Sequence, residues 1–421
     1  MRTFLLILLT AALVSCSAAR YDWPRWRGPN GDNISRERGW NPRALEGGPR
    51  IAWQVDVGGG YSNVAIQDNR LYAMGWDVTG VLAVACCCLD ASTGKEIWRY
   101  SFPSFLFPQA TPTVEGSSVY CLCTDGLVHC LDTGNGKLRW KNDLVVDCGA
   151  VKPAYGFAGS PVIVGNLLIF TANTSGIALD KRTGVKVWAS EAPPKLPNLW
   201  STTGTEYHTP VIYPRKGKPH AVICSWKGVF SVEVKTGKAQ LLFDWKDSLQ
   251  SVEDQVADPL IFREKVFIAR YRKSLGSILL DIQDQETKVL WKNEETFSEI
   301  GSPAFLDGYL YVCQGGGSSG GWLKCLDAET GTAFWEVNPE EQFSRISLSF
   351  TVADGKLIVL NSAGTLSIAE VSPEGYRVIS SCDVLVGEKK TRKFWTPPVL
   401  CNGLIYCRNL GGDLVCVDVH K

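Results

Sequence analysis

The sequence is poor in the residues that most often carry chemistry. Only four histidines and two methionines occur in 421 residues. There is no His-Glu-x-x-His, no Cys-x-x-Cys and no Cys-x-x-Cys-His. A zincin site, a structural zinc pair and covalent haem attachment are therefore excluded as motifs. Net charge is also absent, with 43 Lys plus Arg against 43 Asp plus Glu. A nucleic acid or an anionic membrane surface is not indicated as a partner. Helical periodicity of useful length is missing throughout. Apolar runs of spanning length are missing too, and the run Phe4 to Val14 is too short to stay in a bilayer. Gly-x-Ser-x-Gly is matched only inside Gly315 to Gly321. That match is compositional and lacks the strand-to-helix context of a nucleophile elbow.

The start reads as an export signal. Arg2 supplies the positive region and Phe4 to Val14 the apolar region. Leu13-Val14-Ser15-Cys16 has the form of a lipoprotein box, which makes Cys16 the expected lipidated residue. Cleavage after Ala19 is the alternative, so residues 1–19 are assigned as signal on either reading. The expected location is outside the cytoplasm, in the periplasm or outer envelope. Residues 20–50 are rich in Gly, Pro, Arg and Trp without strand or helix period. They read as an extended arm laid over the surface of the domain that follows.

Residues 51–421 carry an internal repeat. Leu89-Asp90-Ala91-Ser92-Thr93-Gly94 leads to Trp98. The same pattern leads from Asp132 to Trp140, from Asp180 to Trp188 and from Asp327 to Trp335. In all four the Trp stands eight residues after the Asp. Asp and Thr side chains can bond the local backbone and Gly can take positive φ, so the pattern is a strand, a tight turn and a strand. The strand-ending acids are Asp90, Asp132, Asp180, Glu233, Asp281, Asp327, Glu370 and Asp418, spaced 42 to 53 residues apart. That spacing suits propeller blades with loop insertions. Three repeats are worn: Leu241 stands where a Trp belongs, the turn before Trp291 is longer, and no Trp follows Glu370. Each repeat opens on a head such as Thr111-Pro112 or Ser160-Pro161, where Pro costs no ladder donor. The last repeat lacks a Trp strand, and Ile51 to Val55 is a Trp strand with no repeat before it. The fold expected is all-β: an eight-bladed propeller of four-stranded antiparallel blades, closed by the N-terminal strand.

Removing Cys16 leaves 14 cysteines. Cys88, Cys130, Cys325 and Cys416 share one repeat position, two before the acid, where Ala178 and Ser231 stand in other repeats. The position asks for a small buried side chain, which free Cys supplies. Cys86, Cys87, Cys121 and Cys123 are left open.

Asp-x-x-Thr-Gly-x-x-x-Trp with a small residue two before the Asp resembles the pyrroloquinoline-quinone-like repeat. The resemblance covers Ile51 to Lys421. It implies that Trp53, Trp98, Trp140, Trp188, Trp291 and Trp335 dock neighbouring blades. It also implies two functional classes, quinoprotein dehydrogenases and non-enzymatic envelope propellers such as the lipoprotein of the outer-membrane β-barrel assembly machinery. The dehydrogenases hold their quinone with a vicinal disulfide, a stacking Trp and calcium. Here Cys86-Cys87 lie inside a strand rather than a mouth loop, and no acidic and Asn cluster reads as a calcium site. The expectation is therefore a non-catalytic scaffold, monomeric, binding an envelope protein or a small polar ligand without cofactor. A quinone-dependent oxidoreductase with a degenerate site, using the quinone and calcium, is the alternative. The candidate binding face is the one opposite the Thr-Gly turns. It collects Glu206, His208, Trp226, Lys227, Asp258, Arg270, Arg272, Arg392, Trp395 and Arg408. The cations are expected to line one opening, with Trp226 and Trp395 as apolar anchors.

Overall fold

The computed structural model describes residues 21–77, 83–104, 106–172, 175–190, 207–225, 227–245, 256–270, 276–283, 286–298, 300–314, 321–338, 348–384 and 393–421. Eight antiparallel sheets follow one another along the chain, and none of the described residues is helical. Blade 1 is Ala65–Gln67, Arg70–Asp77, Ala83–Asp90 and Glu96–Pro103, paired in that order. The next six blades repeat the meander. Blade 8 is Val399–Cys401, Leu404–Arg408 and Asp413–Asp418, and its fourth strand is Ile51–Asp56 from the start of the domain. Trp53 sits opposite Cys416 in that pairing. Closure leaves no outer strand of blade 8 missing, and the ring has no open end.

The turn chemistry is local and complete. Asp90 Oδ1 accepts from the backbone N–H groups of Ser92 and Thr93, at 3.1 and 2.9 Å, and from both hydroxyls. Gly94 N–H closes the turn on Asp90 O at 2.9 Å, with Gly94 at φ 70°. Asp132, Asp180 and Asp327 hold their turns the same way. At Asp132 the Arg139 guanidinium adds a bond of 2.6 Å and holds the carboxyl below its usual range.

The small residue two before the acid faces the tryptophan across the sheet. Cys88 pairs with Trp98, Cys130 with Trp140, Ala178 with Trp188 and Cys325 with Trp335. Each indole then reaches the next blade. Trp98 Nε1 donates to Thr133 O at 2.9 Å, Trp140 to Lys181 O at 3.1 Å and Trp188 to Val234 O at 2.8 Å. Trp53, Trp291 and Trp335 make the equivalent bonds to Ala91, Ala328 and Ser372. The ring lies flat on the turn glycine: a Cβ on Gly136 would stand 2.6 Å from the Trp98 ring. Gly is thus required twice there, for its φ and for the close approach.

All fourteen described cysteines are free, and all but Cys382 are buried. Successive strand residues face opposite neighbours. Cys87 packs in the core shared with blade 8, while Cys86 and Cys88 pack in the core shared with blade 2.

The arm departs from the sequence expectation. Residues 23–35 do not lie on the outside but run through the central channel, and residues 40–45 then fill the junction of blades 7 and 8. Tyr21 N–H bonds Asn402 Oδ1 at 2.9 Å, in a turn on the Thr-Gly face. Trp23 exchanges both backbone bonds with Ile66 on the innermost strand of blade 1. Pro24 O accepts from Val114 of blade 2. The chain turns back at Arg27 and Gly28, where a Cβ on Gly28 would stand 2.9 Å from the Trp23 ring. Ile34–Ser35 then pairs in parallel with Val352–Ala353 of blade 7. The arm leaves on the face where it entered, with Asn41 N–H on Val419 O at 2.7 Å. Trp23, Arg27, Asn33, Glu37, Trp40 and Leu45 are all buried. The physical reason is that eight wide blades leave an axial gap whose inner strands offer unpaired backbone groups, and an extended segment satisfies them.

Candidate functional site: the closed mouth of the channel

The heads of the repeats form a belt around the channel on the face opposite the Thr-Gly turns. Asn63 N–H donates to Thr111 Oγ1 at 3.0 Å, and Thr111 N–H to Ser160 Oγ at 2.9 Å. Ser160 N–H donates to Thr209 Oγ1 at 3.0 Å, and Thr209 N–H to Asp258 Oδ1 at 2.6 Å. Ser302 Oγ continues the belt onto Asp258 Oδ2 at 2.8 Å. Thr111, Ser160, Thr209 and Asp258 therefore each cap the preceding blade's inner strand, and Ser302 bonds the Asp258 side chain, which is why these heads are hydroxyl or carboxylate residues.

The tip of the arm rises to this belt from below. Trp26 Nε1 donates to Asp258 Oδ2 at 2.5 Å. Arg27 donates to Pro259 O at 3.1 Å and to Pro303 O at 2.9 Å, and its guanidinium lies 3.9 Å from Asp258. Both members of that ion pair are 2% exposed. Burial lowers the pKa of Arg27, with Asp258 opposing the shift. Asp258 thus accepts from Trp26, Ser302 and Thr209 and faces Arg27, so its oxygens are engaged by the fold.

Above this floor is a pocket of about 420 Å³. Trp26 is part of its floor, and Tyr61, Trp395, Tyr155 and Tyr207 line its walls. Tyr61 and Trp395 meet in a tilted pair at 5.1 Å between ring centres, and Tyr155 meets Tyr207 at 6.1 Å. Gln109 Nε2 donates to Tyr155 O at 2.5 Å and fixes that rim. No Lys or Arg is among the described lining residues, and Asp258 is the one carboxylate there. The site can hold an apolar or aromatic group with a polar edge.

Of the residues expected at the mouth, Asp258 and Trp395 line this pocket. His208 does not reach it as a reactive group. It is fully buried, its Nε2 accepts from Cys224 N–H at 3.0 Å, and burial pushes its pKa down to about 4. Arg408 is a correction. It was expected at the opening, but it is 2% exposed and serves as a staple between blades 8 and 1. Its guanidinium donates to Gly58 O at 2.9 Å, to Met74 O at 2.5 Å and to Ser62 O. Unpaired carbonyls at that junction draw the cation inward, and strand alternation points it there. Arg270 lies over the Trp245 ring at 4.2 Å, and Lys227 is exposed, so neither lines the pocket. Glu206, Trp226, Arg272 and Arg392 lie outside the described residues, as do Cys16 and 315–320.

Sequence reasoning missed Trp26, Tyr61 and Tyr155, whereas Tyr207 lies in the loop before blade 4 that it placed on this face. A signal for one of them exists. Tyr61 and Tyr207 each stand two residues before a head, Asn63 and Thr209, and Gln109, Ala158 and Val256 hold the same place before Thr111, Ser160 and Asp258. The residue two before the head is the rim position of every such blade. Trp26 and Tyr155 carry no repeat signal.

The described lining residues of the pocket are not the charged set that pyrroloquinoline quinone with calcium needs. The quinone is a triacid, and no described lining residue is a cation. The described residues include no group of three His, Cys, Asp or Glu side chains able to hold a metal ion. The adjacent cysteines lie in the blade core, away from the mouth.

Among solved structures, the chain is similar to BamB from Moraxella catarrhalis at 16% identity and TM-score 0.60, covering 87% of this chain and 97% of that one. It is similar to the quinohemoprotein alcohol dehydrogenase from Comamonas testosteroni at 13% identity and TM-score 0.69, covering 96% and 82%. A europium-containing methanol dehydrogenase matches at 12% identity and TM-score 0.67, covering 94% and 98%. Likenesses at this identity carry the fold alone. No curated protein matches the sequence. A family model matches residues 43–143, 108–316 and 279–378, and on that match the chain belongs to the pyrroloquinoline-quinone-like repeat family described as outer membrane protein assembly factor BamB.

Proposed function

We propose that this chain is an exported, lipid-anchored, non-catalytic scaffold of the cell envelope that binds a protein partner at the closed mouth. One observation carries the reading: the pocket over the channel is walled by aromatic rings, is floored by the protein's own arm and has no cation among its described lining residues. Aromatic walls with a polar rim are what the centre of a protein interface uses. An apolar or aromatic side chain of the partner enters between the Tyr61–Trp395 pair and the Tyr155–Tyr207 pair. Tyr155, at 67% exposure, is the first ring it meets. The family membership supports an envelope role, and Cys16 in its lipoprotein box supports the anchor. The six indoles that bond the next blade act as structural docking groups.

The test is fractionation with co-purification from the native envelope. Wild type is expected in the membrane fraction with a bound envelope protein. Trp395→Ala with Tyr207→Ala is expected to stay in the membrane and weaken the partner by on the order of a thousandfold, since hot-spot aromatics are each worth about 2 kcal/mol or more. Cys16→Ser is expected to keep the partner and leave the membrane. Retention of the partner by the double variant, with loss on changing Lys95 and Lys137, places the site on the Thr-Gly face instead.

A further inference from the structure

The large side chains around the mouth pocket are of one kind. Trp26, Tyr61, Tyr155, Tyr207 and Trp395 line it, and no Phe, Leu or Met is among its described lining residues. A pocket shaped for a plain apolar group has little use for that choice, because Leu, Phe and Met bury as well without a polar edge to satisfy. Indole and phenol rings add the charge their faces present. Those faces are negative and hold a cation within about 6 Å of the ring centre, Trp best of all.

The formal charges leave the field to the rings. Asp258 is the one charged side chain among the described lining residues. Its oxygens are engaged by Thr209, Trp26 and Ser302, and Arg27 beneath it makes the pair neutral. The floor therefore compensates neither an anion nor a small, strongly hydrated cation. An organic ammonium differs, because its charge is spread under methyl groups that shed water at low cost and pack on ring faces. The protein makes such a contact itself at the rim, where Lys393 Nζ lies 5.9 Å from the centre of the Trp395 ring. Within the two ring pairs the planes are tilted by 32° and 50°, so neither pair is a closed stack. A volume of about 420 Å³ is in the range of small-molecule sites.

We propose that the mouth pocket binds a small quaternary ammonium of the choline type, with its trimethylammonium head held on the faces of these rings. The site is the one read above as taking the partner, on which this proposal rests, and the ammonium competes with the partner's side chain for the same rings. A carboxylate on the ligand meets no cation among the described lining residues, so the alcohol binds better than the corresponding acid.

Choline and its neutral tert-butyl isostere, dimethylbutanol, share a shape and differ in charge. Each is titrated into the purified protein and followed by its own methyl resonance. Saturable binding of choline is expected, with dimethylbutanol at least tenfold weaker. Trp395→Leu keeps an apolar side chain and loses the ring, so it is expected to raise the choline Kd at least tenfold and to leave dimethylbutanol nearly unchanged. Tyr155→Leu, at the exposed rim, is expected to raise it severalfold. Lys393 is exposed and competes for Trp395, so Lys393→Gln is expected to tighten choline severalfold without touching the fold. Tighter binding of glycerophosphocholine than of choline assigns a headgroup, and equal or weaker binding assigns the free ammonium. Dimethylbutanol binding as tightly as choline overturns the proposal and leaves an apolar pocket, as the partner reading requires. Choline binding that does not saturate, or that is unchanged in Trp395→Leu and Lys393→Gln, overturns it too, while the partner reading stands or falls on co-purification.

Discussion

Replacing Ile51–Asp56 by six Gly and Ser residues is expected to abolish cooperative unfolding and to drive the protein into aggregates. The substitution keeps the arm tethered, so it removes only the closing strand. That strand is the outer edge of blade 8, paired from Ile51 opposite Val417 to Asp56 opposite Asp413. Without it, Asp413–Asp418 exposes an unpaired edge with Val415 and Val417 beside it, which is a template for association. The loss is also a loss of docking, since Trp53 Nε1 bonds Ala91 O of blade 1 at 3.0 Å. Ring closure is the one strand pairing between the two ends of the domain among the described residues, and the Arg408 staple and the Tyr406 hydroxyl on Ala91 O depend on the same alignment of blades 8 and 1. Total stabilities of about 5–15 kcal/mol leave little to absorb its removal. Urea unfolding followed by tryptophan fluorescence and by light scattering checks this. A soluble variant with one sharp transition at the wild-type midpoint shows that closure rests elsewhere.

Trp98→Ala is expected to lower stability by about 3–5 kcal/mol, as large aromatic truncations in cores do. Trp98 is 8% exposed, packs beside Tyr72 at 5.9 Å and covers Gly136 of blade 2. Its truncation opens a cavity at the junction and leaves Thr133 O without its indole donor. Trp98→Phe separates the two contributions. It keeps much of the buried area and loses the hydrogen bond, so about 1–2 kcal/mol of the loss is expected to remain. Denaturant midpoints of the two variants measure this. A Trp98→Ala protein that unfolds with wild type removes the docking role.

Much of the ring was legible because its determinants are local. The Asp90-type turn closes on its own carboxylate, and the Gly under the indole is fixed by sterics, so both recur at constant spacing. The small residue two before the acid was also readable, because it faces the tryptophan across two hydrogen-bonded strands. What escaped depends on distant pairings. Trp26 meets Asp258 across 232 positions of sequence, and nothing local announces that contact. The arm was placed outside because a segment without period gives no sign of the strand edges it will satisfy. Arg408 was read as a loop cation, although it ends a strand and its carbonyl partners lie in blade 1 and its entry. His208 sits beside the rim residue Tyr207 but points into the core. At blade 4 the spacing rule itself failed by one residue, since Leu241 faces Phe230 and Gln240 faces Ser231, because the irregularity that sets which residue faces inward moved along the strand.

The most direct test of the central claim is titration of the purified protein with pyrroloquinoline quinone and calcium, read by tryptophan fluorescence and followed by a dye-linked assay over alcohols and sugars. Trp26 and Trp395 report on the pocket. An aromatic site whose described lining holds no cation gives a triacid no cluster of charge partners, so the account predicts no saturable quenching and no turnover. Saturable binding accompanied by turnover, both lost in Trp395→Ala, would contradict it and make the mouth a quinone site.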